Sequence, residues 1–95
     1  MVQVTYKGTV LAESDSPVVV EGNYYFPPES VAKSVFKDSN TSSVCPWKGT
    51  AAYYSAEING ANIKDIAWYY PQPKEKASHI KNHVAFYKNK VDIVE

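Results

Sequence analysis

Arginine is absent from this chain: all ten basic residues are lysines, and they balance ten acids to a formal net charge of zero. Arginine supplies the usual bidentate grip on phosphate and guanine, whereas lysine acts as a point charge. Without it, and without a basic excess, nucleic acid is not expected as a partner, because that affinity rests on a cationic footprint. Cysteine is nearly absent too. The single Cys45 cannot close an intrachain disulfide, which sets aside the stapled secreted scaffolds. No run approaches the ~18 apolar residues of a membrane span, and Met1-Val2-Gln3-Val4 does not read as a signal peptide. No membrane partner is expected, and a cytoplasmic location is. The 95 residues suffice for a single domain, 1–95, with no room for a second core. Acids are dispersed singly, with no Asp-x-Asp pair and no Gly-rich phosphate loop, so the Mg²⁺ cluster of polymerase-like nucleotidyl transfer has no counterpart.

What the chain does have is tyrosine, eight of them, within an aromatic share of 14%. Tyrosine and β-branched residues favour half-buried pleated surfaces. Alternation gives strands at Val2–Tyr6 and, after a Lys7-Gly8 turn, at Thr9–Ser14. Val18–Val20 reads as a short buried strand ending at Glu21, with Gly22-Asn23 turning into Tyr24–Phe26. Pro28 opens a short helix running to about Lys37, where Val31, Val35 and Phe36 recur at helical spacing. Asp38 to Ser43 reads as polar loop. The clearest hairpin is Ala51–Ile58, Asn59-Gly60, Ala61–Tyr70, since a type I′ turn needs positive φ at both central positions. That turn opposes Ala51 to Trp68, Tyr53 to Ile66 and Ser55 to Lys64, so that Tyr53, Ile66, Trp68 and Tyr70 share one face. A short helix from Lys74 to about Ile80 and a strand pair of His83–Lys88 with Val91–Val94 complete the chain. The expected fold is mainly β: a small antiparallel two-sheet domain with one or two short helical turns.

The run Thr41-Ser42-Ser43-Val44-Cys45-Pro46-Trp47-Lys48-Gly49-Thr50-Ala51-Ala52-Tyr53-Tyr54 carries a family resemblance. It is joined by Val20-Glu21-Gly22-Asn23-Tyr24-Tyr25-Phe26-Pro27, by Ala67-Trp68-Tyr69-Tyr70-Pro71-Gln72-Pro73 and by Ile80 to Tyr87. With these segments, nearly the whole chain resembles a family of uncharacterised CPWKG-motif domains, a domain of unknown function sometimes described as nucleotidyltransferase-like. The resemblance implies a β-tent fold, two antiparallel sheets meeting at an angle. Related tent-like folds carry zinc on two Cys pairs, which one cysteine cannot supply. Longer members insert an Arg-bearing stretch where this chain has the short Gly22-Asn23 connection.

Cys45-Pro46-Trp47-Lys48-Gly49 is the most function-like segment, and a small-molecule pocket is expected beside it. Lys48 could lower the Cys45 pKa or meet an anion. The competing reading is a buried, inert thiol with Trp47 in the core. Glu21 could act as a general base or bind a ligand amine near Lys48, or simply end its strand in water. Cys45, Lys48 and Glu21 are thus the catalytic candidates, and whether the chain is an enzyme stays open. Lys48, Trp47, Tyr25, Tyr53, Trp68 and Tyr70 are the ligand-binding candidates, since aromatic walls with few polar groups typify such sites. Tyrosine doublets send their two rings to opposite faces of a strand, so one ring of each can join a given pocket. His79 and His83 have helical metal spacing but no third donor beside them, so no metal and no cofactor are expected. The alternative to a small-molecule binder is a non-catalytic interaction module using an exposed sheet edge or aromatic face, with homo-oligomerisation left open.

Overall fold

The strand layout is set by tight turns. A computed structural model describes residues 1–95 and places Lys7-Gly8, Glu21-Gly22 and Asn59-Gly60 all at positive φ. Positive φ at both central positions matches the right-handed twist of the flanking strands, which is why each pair closes a hairpin. The strands are β1 (Val2–Tyr6), β2 (Thr9–Ser14), β3 (Val18–Val20), β4 (Asn23–Tyr25) and β5 (Phe36–Cys45). They continue as β6 (Gly49–Ile58), β7 (Ala61–Tyr69), β8 (Val84–Phe86) and β9 (Asp92–Val94). Short 3₁₀ turns at Pro28–Ser30, Lys33–Val35 and Glu75–Ile80 are the helical content. The domain is mainly β, with every ladder antiparallel.

Three hydrogen-bonded sheets result, ordered β2-β1-β9, β3-β4 and β5-β6-β7-β8. The β3-β4 hairpin is tied to the free side of β8 by a bridge in which Phe26 and Val84 exchange backbone hydrogen bonds of 2.8 Å. No helix is long and apolar enough to cross a membrane.

Several local expectations are corrected. The second turn centres on Glu21-Gly22 rather than Gly22-Asn23, because Asn23 already pairs with Val20. The helix expected over Pro28–Lys37 is two separate 3₁₀ turns, interrupted where Val31 bridges Ala12 and the Ala32 N–H donates to Leu11 at 2.8 Å. The polar stretch Asp38–Ser43 is strand, not loop: it forms the bulged middle of β5, an edge strand whose outer side faces no neighbour and tolerates polar residues. The segments expected to pair with each other at the end of the chain part company, β8 joining β7 and β9 joining β1.

Near the Asn59-Gly60 turn the register is the expected one, with Ile58 opposite Ala61 and Ala56 opposite Ile63. Beyond it, β7 bulges at Asp65, which sits at φ 53°, and its N–H donates to Ser55 Oγ at 3.0 Å. Tyr53 therefore faces Trp68 rather than Ile66, and Ala52 rather than Ala51 begins the paired segment, opposite Tyr69. The bulge turns Ile66 into the first of two hydrophobic clusters, away from Tyr53.

That first cluster holds Val4, Leu11, Phe26, Ile58, Ile66 and Phe86, with Tyr54 and Tyr69 packed against it. The second holds Tyr25, Tyr53, Tyr70 and Ile80, with Cys45 and Trp68 against it. The doublets Tyr53-Tyr54 and Tyr69-Tyr70 are split between them by the alternation of the pleat.

Candidate functional site

The hairpin between β5 and β6 closes with Cys45 opposite Gly49, leaving Pro46-Trp47-Lys48 as its loop. Two contacts hold this loop to the segment after β7: the Lys74 N–H donates to the Lys48 carbonyl at 2.9 Å, and Lys74 Nζ to the Pro46 carbonyl at 2.7 Å. Gly49 takes φ 113°, and a side chain there would meet the Gln72 carbonyl oxygen at 3.3 Å. The loop is fixed in place, and Lys48 turns inward.

Lys48 is the one buried charged residue, at 6% exposure. Its ammonium donates to Glu21 Oε1, and Trp47 Nε1 donates to Glu21 Oε2 at 3.3 Å. It also lies 5.5 Å from the Trp47 ring centroid and 5.6 Å from that of Tyr70. Burial disfavours the ammonium, but the hydrogen bond to Glu21, with the Tyr25 and Tyr70 phenols, outweighs it and raises the Lys48 pKa above the ordinary lysine value. Hydrogen bonds from Lys48 and then Trp47 lower the Glu21 pKa. At neutral pH the pair is a charged one: Lys48 is no nucleophile, and Glu21 is a weakened base.

The remaining candidates pack around that pair. Tyr25 is fully buried and its hydroxyl accepts from Trp68 Nε1 at 3.1 Å, the rings meeting edge to face at 6.3 Å. The Tyr53 hydroxyl bonds Ser43 Oγ at 2.8 Å, and Tyr70 is buried, which first of all raises its pKa. Cys45 is half-buried beside this cluster. The structure thus brings Glu21, Trp47, Lys48 and Tyr70 into contact and sets Tyr25, Tyr53, Trp68 and Cys45 in the same cluster. None of these eight side chains lines a cavity. His79 lies in the last turn of the 3₁₀ segment Glu75–Ile80 and His83 three residues beyond it, with His83 Nδ1 3.0 Å from the Lys81 carbonyl.

The cavities lie elsewhere. One of about 340 Å³ opens against the first hydrophobic cluster. Pro28, Val31, Phe36, Tyr54, Tyr69 and Val84 line it, together with the polar side chains Lys33 and Asn82. Tyr54 and Tyr69 stack with ring centroids 4.5 Å apart, and Phe36 tilts onto Tyr54 at 5.6 Å. Burial, followed by the Tyr69 phenol and the Asp38 carboxylate, pushes the Tyr54 phenol up to about 12. A second, open cleft of about 580 Å³ runs beside Gly49 and is lined mostly by hydroxyls and amides, among them Ser39, Thr41, Thr50 and Gln72.

Sequence reasoning reached the walls of the first cavity only through the tyrosine doublets. It selected Tyr53 and Tyr70, and the cavity uses their doublet partners Tyr54 and Tyr69. The doublet rule carried the signal that one of each pair would be available, but not which. Nothing in the sequence pointed to Asn82, whose φ of 61° follows from the turn into β8.

A family model described as Domain of unknown function (DUF427) matches residues 1–95. The chain belongs to the DUF427 family. The match spans every element that builds this DUF427 domain, from β1 to β9. Among curated proteins, none matches.

Proposed function

We propose that this DUF427 domain binds a small molecule, in the cavity walled by Phe36, Tyr54, Tyr69, Val31 and Val84. The observation that carries the reading is the combination of aromatic walls with only two polar side chains other than phenols, at a volume within the ~300–1,000 Å³ of ligand pockets. No Asp, Glu, His or Cys is among the lining residues, so the proposal is one of binding and names no reaction. A thermal-shift screen of small metabolites, followed by NMR of the aromatic rings, tests it. Ligands should raise the melting temperature and shift the Phe36, Tyr54 and Tyr69 ring signals. Ligands that stabilise the domain while leaving those rings unmoved would place the site elsewhere.

A pocket beside Cys45–Gly49 retains one supporting observation, the polar cleft that Gly49 lines. Its walls lack the enclosing aromatics, because those rings are packed into the second cluster. The interaction-module reading draws on the outer edge of β5, unpaired from Phe36 to Cys45, and on Val44, which is 75% exposed there. The bulge in β5 and its polar residues work against strand addition, so we place this reading second. Cytoplasmic residence and the lack of a nucleic-acid partner belong to the same proposal, supported by the lone thiol and the missing arginine.

A further inference from the structure

Most lysines in this domain are already engaged. Lys37 pairs with Glu57 and Lys48 with Glu21, while Lys74, Lys88 and Lys90 donate to backbone carbonyls and Lys7 lies over the Tyr6 ring. Lys33, Lys64, Lys76 and Lys81 have no such partner, and of these Lys33 alone lines the aromatic cavity. Its backbone is held in place, since the 3₁₀ turn Lys33–Val35 hangs from the Ala32-to-Leu11 hydrogen bond.

The rest of the lining leaves this charge unanswered. No Asp or Glu lines the cavity, and the Asn82 carboxamide makes no hydrogen bond within the protein. Asp38, which influences Tyr54 from the neighbouring strand, is solvent-exposed and lies outside the lining. Tyr54 keeps its proton well above neutral pH, so its phenol adds a donor rather than a negative charge. A lone cation lining a cavity with largely apolar walls gives that cavity a positive potential. No glycine lines the cavity to bring backbone N–H groups together, and one lysine is a thin grip for a phosphate dianion.

We propose that the cavity selects carboxylate monoanions carried on a flat apolar body of about single-ring size, with Lys33 and Asn82 receiving the carboxylate. The stacked Tyr54 and Tyr69 rings and Phe36 favour a flat body, which can add to their offset packing. The volume of about 340 Å³ is at the small end for ligand pockets and sets the size. Selectivity for the anion rests on the binding reading above and adds to it the sign of charge.

Three probes of one shape separate the two ideas: phenylacetate, phenylacetamide and phenethylamine, titrated into the whole domain by NMR at low salt. Phenylacetate should shift the Phe36, Tyr54 and Tyr69 rings and bind about threefold more tightly than phenylacetamide, with phenethylamine weakest. Lys33→Met, at an exposed position, should bring the acid and the amide to equal affinity, and Lys64→Met should leave the preference for the acid intact. If phenylacetamide or phenethylamine binds those rings as tightly as phenylacetate, charge selection is wrong and the cavity reading stands. If phenylacetate keeps its preference in Lys33→Met, the assignment to Lys33 is overturned. If no probe moves the three rings, this inference and the cavity reading fall together.

Discussion

The Ser39 hydroxyl donates a 2.6 Å hydrogen bond to Asp65 Oδ1, joining the bulge of β5 to the bulge of β7 across the intervening β6. Thr41 donates to the other carboxylate oxygen at 2.7 Å, so both irregular segments share one acceptor. The hydroxyl of Ser39 first, and then that of Thr41, lowers the Asp65 pKa below its ordinary value.

A depressed folded-state pKa contributes stability that is present above the unfolded value and lost as pH falls through the folded one. The melting temperature of the native domain should therefore drop more steeply below about pH 4 than that of Asp65→Asn. Asn tolerates the left-handed backbone at this position, so the substitution isolates the charge. At neutral pH we expect a loss of roughly 1 kcal/mol, small because Asp65 is only half-buried. Parallel pH profiles for the two proteins would show that the carboxylate is not what pins the bulges.

The Lys48–Glu21 pair predicts an order between two variants. Glu21→Gln leaves a buried ammonium without its counter-charge, whereas Lys48→Met leaves a carboxylate that is half in water. Removing the partner of the buried member costs more. Glu21→Gln should therefore melt at a lower temperature than Lys48→Met, and the reverse order in thermal denaturation would contradict the pair's geometry. Because the ammonium is committed to Glu21, Lys48→Met should also leave the rate of Cys45 alkylation unchanged while the domain is folded.

At the Asn59-Gly60 turn, Gly60 sits at φ 85° with open space where a side chain would go. The backbone alone then decides the cost. Gly60→Val should destabilise by roughly 1–2 kcal/mol, and Gly60→Asn by much less, since Asn visits the left-handed region readily. Equal melting temperatures for the two would mean that the turn is built differently.

The elements legible in the sequence were those governed by local rules. Asn59-Gly60 and the alternation of β1, β2, β6 and β7 follow from neighbouring residues, and the splitting of the tyrosine doublets follows from the pleat. What escaped depends on partners far along the chain. Asp38–Ser43 has the composition of a loop and becomes strand because β6 supplies hydrogen-bond partners on one side. The bulge at Asp65 exists because Ser55, Ser39 and Thr41 satisfy it, and no residue near it in sequence announces that. The candidate cluster at Lys48 was legible as a group, since Glu21, Trp47 and Tyr70 do meet it. Its packed interior was not legible, because residue types alone do not separate a wall from a core.

The pairing of β1 with β9 carries a different consequence. Val4 and Ile93 come together only after nearly the whole polypeptide has been looped, at the largest closure entropy any ladder here requires. Such a contact raises the contact order and belongs late in folding, after the local hairpins β3-β4 and β6-β7 have formed. The three-residue β9 is then the natural first place for the native domain to open, and its amides should exchange with solvent ahead of those in β6 and β7.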